Sequence, residues 1–360
     1  MPPVPPHLFE AVVCLPDLTG KRLTIRADAS PAIGTGHVMR CLALAQAWRD
    51  AGGDVTLLAR EIPEGLAERY RGEGCALQAL KSDSPEDVGV GSDLTLLDGW
   101  QFDSDYIAKV RGLKLVIDDK ADRPSFPCQF LLNPNLHATE SLYSGRTEAT
   151  LLAGPGYALL RRDYASPKLN SRKVQDSVQR ILVLMGGADP DQHSEKALGA
   201  ALAVSERLPH APLVTLVVGA ANPRRPALQD LIDKASRQAQ LLYDVKDMAD
   251  LLSSADIAVS SAASTALELA RVGTPSVLGA LNESEDGPGR ALMEIGAADF
   301  VRRFSDITQD QLAGRLADLC LDVRKRRIMS WVGQQLVDGN GTRRVLRAIS
   351  GTLLQTRTSA

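Results

Sequence analysis

The sequence predicts an α/β fold with two open, largely parallel sheets in tandem. Three observations carry that expectation. Short runs rich in Leu, Val and Ile recur along the chain, with helix-period stretches between them. The order strand, glycine turn, helix appears near residue 22 and starts again near residue 180. A length of 360 residues favours two domains over one.

The elements follow in chain order. Residues 1–21, opening "MPPVPPHLFEAVVCL", hold no Lys or Arg before Lys21. They read as a loose proline-rich leader, not as a signal peptide with its charged start. "RLTIRA" (22–27) reads as a strand. A glycine loop follows, then a helix from His37 to about Ala51, with Val38, Cys41, Leu42, Ala45 and Trp48 on one face. "AGG" stops that helix, and "DVTLLA", "DLTLLD" (93–98) and "LKLVID" (113–118) read as further buried strands. This first Rossmann-like domain spans 22–165. The polar stretch "YASPKLNSRKVQDSV" (164–178) reads as a linker.

The second Rossmann-like domain spans 175–320. Its strands are "RILVL", "PLVTLVVGA" (212–220), "DIAVSS" (256–261) and "PSVLGAL", and "GRALMEIGAADFV" repeats the helix–strand step. A helix begins near Asp191. Residues 321–360 read as helices without strands between them, packing back on the domains.

Composition narrows the function. Hydrophobic residues are 44% and charged residues 24%, the balance of a soluble globular chain. A net charge of −3 speaks against a protein built to hold nucleic acid. The densest basic run, Arg324–Arg327, reads as a solvated helix face. Five cysteines, an odd number with no C-x-x-C, give no disulfide framework and fit a reducing, cytoplasmic compartment. No apolar run reaches the ~18 residues of a membrane helix. No H-E-x-x-H or H-x-x-x-H occurs, so no metal site is expected.

The stretch "AIGTGHVMRC" (32–41) is the sharpest candidate site. Gly34 and Gly36 permit positive φ and close backbone approach. The helix behind them offers free N–H groups and a partial positive charge to an anion. That dipole disfavours a cation, so His37 is expected to stay neutral and able to accept a proton. His37 as a plain helix-capping or packing residue is the competing reading. A dinucleotide loop would need glycine at Met39, although Glu61 partly fits the ribose acid.

Other motifs stay open from the residues alone. Gly186-Gly187-Ala188-Asp189-Pro190 is either an ordinary βα turn or a place where a diphosphate or sugar meets backbone. Asp118-Asp119 reads as loop hydrogen bonding, with a Mg²⁺-holding acid as the alternative. There is no G-x-x-x-x-G-K-[ST] loop to support the latter. Thr265 with Glu268 fits a capping box. Alternatively, phosphate sits on that helix N-terminus and Glu268 takes the ribose hydroxyls.

Taken together and in order, "IRADASPAIGTGHVMRCLALAQAWRDAGGDVTLLAR", "VIDDKADRPSFPCQFLLNPN", "LLAGPGYALLRRDY", "LVLMGGADP" and "STALELARVGTP" resemble a known family. It is the UDP-sugar hydrolase family of the pseudaminic acid pathway, with its relatives in spore-coat and surface-polysaccharide synthesis. That family is similar in turn to the peptidoglycan N-acetylglucosaminyltransferase. The resemblance covers roughly residues 22–345.

It implies the glycosyltransferase-B fold, two Rossmann-like domains facing a cleft. It also implies hydrolysis of UDP-2,4-diacetamido-2,4,6-trideoxy-β-L-altropyranose, with water attacking the anomeric carbon and inversion. His37 would be the base and Gly34 and Gly36 the N-terminal glycine loop. Gly186, Gly187, Ser264, Thr265 and Glu268 would hold the UDP side. Asn282 and Glu283 stand where the family carries Asn-Gln, and Trp100 where it commonly has Tyr; all three positions would touch the sugar. No cofactor, nucleic acid or membrane span is implied, and a monomer is expected. Competing functions are a glycosyltransferase on the same fold, a non-catalytic sugar-nucleotide binding module and, more distantly, a dehydrogenase.

Overall fold

The computed structural model describes residues 14–80, 82–189, 191–220, 222–235 and 238–355. It divides into two compact units. One is built from residues 14–33, 37–162 and 339–355, the other chiefly from 163–338.

The first unit runs β1 (Arg22–Ala27), α1 (Gly36–Asp50), β2 (Asp54–Ala59), α2 (Glu64–Gly72), β3 (Ala76–Ala79), β4 (Leu94–Asp98), α3 (Ser104–Lys109), β5 (Lys114–Ile117), β6 (Phe130–Asn133), α4 (Glu140–Tyr143) and β7 (Thr150–Ala153). Its seven strands are parallel in the order β3-β2-β1-β4-β5-β6-β7. Strand alternation explains why both faces are covered. Leu23, Ile25 and Ala27 of β1 join Val38, Cys41, Leu42, Ala45 and Trp48 of α1 in one core. Leu97, Val116 and Leu131 point the other way, into a second core with Phe102, Phe126 and Tyr143.

The second unit runs β8 (Arg180–Leu184), α5 (His193–Arg207), β9 (Leu213–Val218), α6 (Arg225–Lys234), β10 (Ala239–Tyr243), α7 (Met248–Ser254), β11 (Ile257–Ser261), α8 (Ser264–Val272), β12 (Ser276–Ala280), α9 (Asp286–Glu294), β13 (Asp299–Arg303), α10 (Gln309–Leu321) and α11 (Val323–Leu336). Its six parallel strands lie in the order β10-β9-β8-β11-β12-β13. Helices α10 and α11 complete its core through Leu312, Leu316, Leu319 and Met329. A final helix, α12 (Gly341–Gln355), returns to the first unit, where Val345, Leu346, Ile349 and Leu353 enter the α1 core.

Several sequence expectations are corrected. Within the leader, residues 1–13 lie outside the described residues, but Leu18 is fully buried and its N–H donates to Ala51 O at 2.8 Å. Ordered packing therefore begins before β1. Segment 164–178 is pinned rather than free. Arg271 donates to the carbonyls of Tyr164 (2.7 Å) and Ser166 (3.1 Å), and Tyr164 is fully buried. The Arg324–Arg327 run is not uniformly a solvated face. Arg326 is completely buried and donates to the carbonyls of Leu319, Gln175 and Asp176. Those carbonyls satisfy donors on both terminal nitrogens of the buried guanidinium. The helix expected near Asp191 starts at His193.

Candidate functional site

In a doubly wound sheet, ligands bind outside the carboxyl ends of the strands, where the strand order reverses. In the first unit that point lies between β1 and β4. The chain leaving β1 turns at Gly34, whose φ of +85° suits glycine, and enters α1 at Gly36. His37 is thus held at the first turn of α1, beside the end of β4, which is Asp98.

His37 Nδ1 lies 2.7 Å from Asp98 Oδ1. One helical turn on, Arg40 donates to the same carboxylate through Nε (2.6 Å) and Nη2 (2.7 Å). Its other edge donates to both oxygens of Asp119 at 2.9 and 2.8 Å. Asn135 Nδ2, just beyond β6, donates to Asp119 at 3.1 Å. One guanidinium therefore bridges two carboxylates in the fork geometry that arginine alone provides.

The electrostatics follow from this arrangement. Burial alone would raise the Asp98 carboxyl, but Arg40 and His37 hold it far below the usual carboxylate range. Asp119 is lowered for the same reason, with Arg40 outweighing burial. Burial pushes the neighbouring Cys41 thiol well up, with Asp98 adding to it, so Cys41 is no nucleophile. An Nδ1–H donating to the ionised Asp98 would leave the acceptor lone pair on Nε2; Arg40 Nη2 also lies 3.3 Å from Nδ1. The ring of Trp100 stands edge-on to His37, with centroids 5.1 Å apart and planes at 88°. Trp100 is 48% exposed, and the Lys120 ammonium sits 4.7 Å from its ring centre.

The two members of the Asp118-Asp119 pair divide in role. Asp118 takes loop hydrogen bonds from Ala121 N and Tyr143 Oη and an ion pair from Arg123, all at 2.7 Å. Asp119 joins the His37 cluster.

In the second unit the strand order reverses between β8 and β11. Gly186 (φ +76°) and Gly187 follow β8; Ser264, Thr265 and Glu268 open α8 after β11; Asn282 and Glu283 follow β12. Adjacent parallel strands bring these residues to one edge of the sheet. The Thr265–Glu268 capping box does not form. The N-cap is Ala263, with no side-chain cap, which places Thr265 and Glu268 inside the helix. The hydroxyls of Ser260 and Ser261, both buried at the end of β11, have no hydrogen-bond partner among the described residues. Asn282 caps the turn that follows it, accepting from Ser284 N at 3.0 Å and donating to Glu285 at 3.1 Å. Glu283 is exposed.

Arg40, Asp98 and Asp119 carry no motif of their own. The only signal was one of place: Asp98 ends β4, and Asp119 stands two residues beyond the neighbouring β5.

No protein-family model matches the chain. The UDP-2,4-diacetamido-2,4,6-trideoxy-beta-L-altropyranose hydrolase of Campylobacter jejuni is 26% identical over 250 residues, 68% of this chain and 85% of the relative. The spore coat polysaccharide biosynthesis protein SpsG of Bacillus subtilis is 26% identical over 192 residues, 53% of this chain and 56% of the relative. An uncharacterized protein of Methanocaldococcus jannaschii is 22% identical over 277 residues, 73% of this chain and 56% of the relative. The chain thus spans just over half the length of these last two.

Among solved structures, MurG of Acinetobacter baumannii superposes with a TM-score of 0.62 at 18% identity, covering 92% of this chain and 99% of that one. Spinosyn rhamnosyltransferase SpnG gives 0.62 at 13% identity, covering 92% and 100%. The fold is the glycosyltransferase-B fold, and the motif-based resemblance to the UDP-sugar hydrolase and to SpsG is borne out by sequence similarity over 68% and 53% of the chain.

Proposed function

We propose that the chain is a sugar-nucleotide hydrolase, releasing UDP from a UDP-linked diacetamido-trideoxy hexose in nonulosonic acid or surface-polysaccharide synthesis. The observation that carries this reading is the His37–Asp98 pair at the switch point of the first sheet. With Nδ1 committed to Asp98, Nε2 takes a proton from water as the water oxygen bonds to the anomeric carbon. The anomeric C–O bond breaks, and its electron pair leaves with the diphosphate oxygen. Attack opposite the leaving group inverts the centre. UDP is a good leaving group, so no general acid is required. An oxocarbenium-like transition state would account for rate without a covalent intermediate.

Charge growing on the diphosphate needs donors. The start of α8 supports that role: no side chain caps it, and the unpartnered Ser260 and Ser261 hydroxyls lie just before it. In this reading Gly186 and Gly187 allow close approach of the nucleotide, and Glu268 takes the ribose hydroxyls. Trp100, Asn282 and Glu283 recognise the sugar.

The test is a panel of UDP- and CMP-linked deoxyamino sugars, assayed for nucleotide release in ¹⁸O water without any acceptor. Release of UDP with ¹⁸O in the sugar supports C–O cleavage and hydrolysis. Release only when an acceptor hydroxyl is added supports the second reading, glycosyl transfer, the kind of activity that the spinosyn rhamnosyltransferase of the same fold is named for. UDP binding without turnover would leave a binding module.

A further inference from the structure

Arg40 lies on the Nδ1 side of His37, with Nη2 3.3 Å from that nitrogen, and it makes four close hydrogen bonds to the carboxylates of Asp98 and Asp119. We propose that Arg40 and Asp119 are positioning residues for His37, acting chiefly by orienting Asp98, with Asp119 cancelling the charge of Arg40. This rests on the hydrolase reading for its consequence, but not for its geometry.

The argument is one of charge and shape. Asp98 alone could rotate about its last torsion and offer either oxygen to the histidine. Arg40 fixes the carboxylate plane by engaging Oδ2 through Nε and Oδ1 through Nη2. That leaves Oδ1 aimed at Nδ1 and imposes one tautomer. Arg40 by itself would also place a cation next to a ring that must become cationic when it takes water's proton. Asp119 removes that conflict. One guanidinium between two carboxylates leaves a single net negative charge, which the new imidazolium neutralises.

Other charged and titratable groups of this unit near the ring are already engaged or set aside. Lys120, in the same turn as Asp119, lies over Trp100; Asp118 is paired with Arg123; the Cys41 thiol donates to Asp98. His137, beyond β6, interacts with Asp119 and is pushed down by burial.

The two partners therefore push the ring in opposite directions, which a merely structural role would not do. Asp119→Asn is isosteric and removes a negative charge. The acidic limb of the kcat/KM–pH profile should move down by roughly one pH unit, and kcat should fall about tenfold with KM held. Arg40→Gln removes the positive charge, and the limb should move up. Arg40→Lys keeps the charge but loses the fork, so kcat falls while the limb stays. That variant carries the test should Arg40→Gln not fold.

A readout free of activity separates this inference from the reaction. The ¹⁵N shifts of the His37 ring, assigned by their loss in His37→Gln, report tautomer and titration midpoint directly. Opposite shifts in the two charge variants, with Nδ1–H retained in Asp119→Asn, support the proposal even if no sugar nucleotide is hydrolysed. Midpoints that do not move, or move together, in folded variants overturn it even if wild-type protein releases UDP.

Discussion

Asp189 closes the N-terminus of α5: its two carboxylate oxygens accept from His193 N and Ser194 N, both at 2.9 Å. The glycine pair after β8 thus leads to a helix end already occupied by the chain's own anion. The residue takes a left-handed φ of 48°, which Asp tolerates better than most. Asp189→Ala should cost about 1 kcal/mol of stability, the usual worth of such a cap. UDP affinity should stay within a few fold. Urea denaturation and calorimetric titration check both; a large loss of UDP binding would return the diphosphate to α5.

At α8 the expectation is the reverse. Glu268 lies inside the helix and supplies no capping-box bond. In the proposed site Glu268→Gln would lose a charged acceptor for ribose, weakening UDP binding by about tenfold or more. A drop in thermal stability with intact UDP affinity would remove Glu268 from the nucleotide site.

His37→Ala should abolish turnover, a loss of at least about 10²–10⁴-fold for a general base. UDP affinity should change little, because the proposed nucleotide contacts lie in the second unit. Single-turnover assays beside equilibrium UDP binding give the answer, and full activity in the variant would sink the assignment.

Stability should depend on pH through His193. Burial, against the ring of Phe304 at 5.7 Å, pushes this histidine below its ordinary 6.5. The unfolded chain then binds the proton more readily than the folded one. Stability is fully present above about pH 6.5 and is lost as pH falls toward the lower folded value. His137 is shifted the same way by burial and adds to the slope. Denaturation from about pH 7.5 to 5.5 should show a shallower dependence in His193→Gln; an identical slope would exclude this histidine as a source.

Gly341 opens α12 where a Cβ would come within 2.3 Å of Ala158 O and 2.8 Å of the Tyr157 carbonyl carbon. Both obstacles are backbone and cannot swing aside. Gly341→Ala should therefore cost about 1–3 kcal/mol, read as a lowered melting temperature.

Much of this was legible in the sequence where apolar runs were long and framed. β1 ("RLTIRA"), β2 ("DVTLLA") and β4 ("LTLLD"), at the centre of the first sheet or beside it, stand out through their apolar residues. β3 ("ALQA"), β7 ("TLLA") and β10 ("AQLLY") are edge strands, mostly half exposed, and carry too little apolar signal to separate from loop. β6 ("FLLN") is fully buried but only four residues long. His37 was readable because a glycine loop announces it. Arg40 was not, because an arginine on a helix usually points to water. Its acid partners lie 58 and 79 residues further along the chain, and only the fold brings them to it.

The return of α12 to the first unit inverts the order in which the protein can be completed. The core of that unit needs Val345, Leu346, Ile349 and Leu353, which emerge from the ribosome after every strand of both sheets. The second unit, almost contiguous in sequence, has all its parts sooner. The half synthesised first is therefore the half finished last, and until then its apolar α1 face is a client for whatever protects nascent chains.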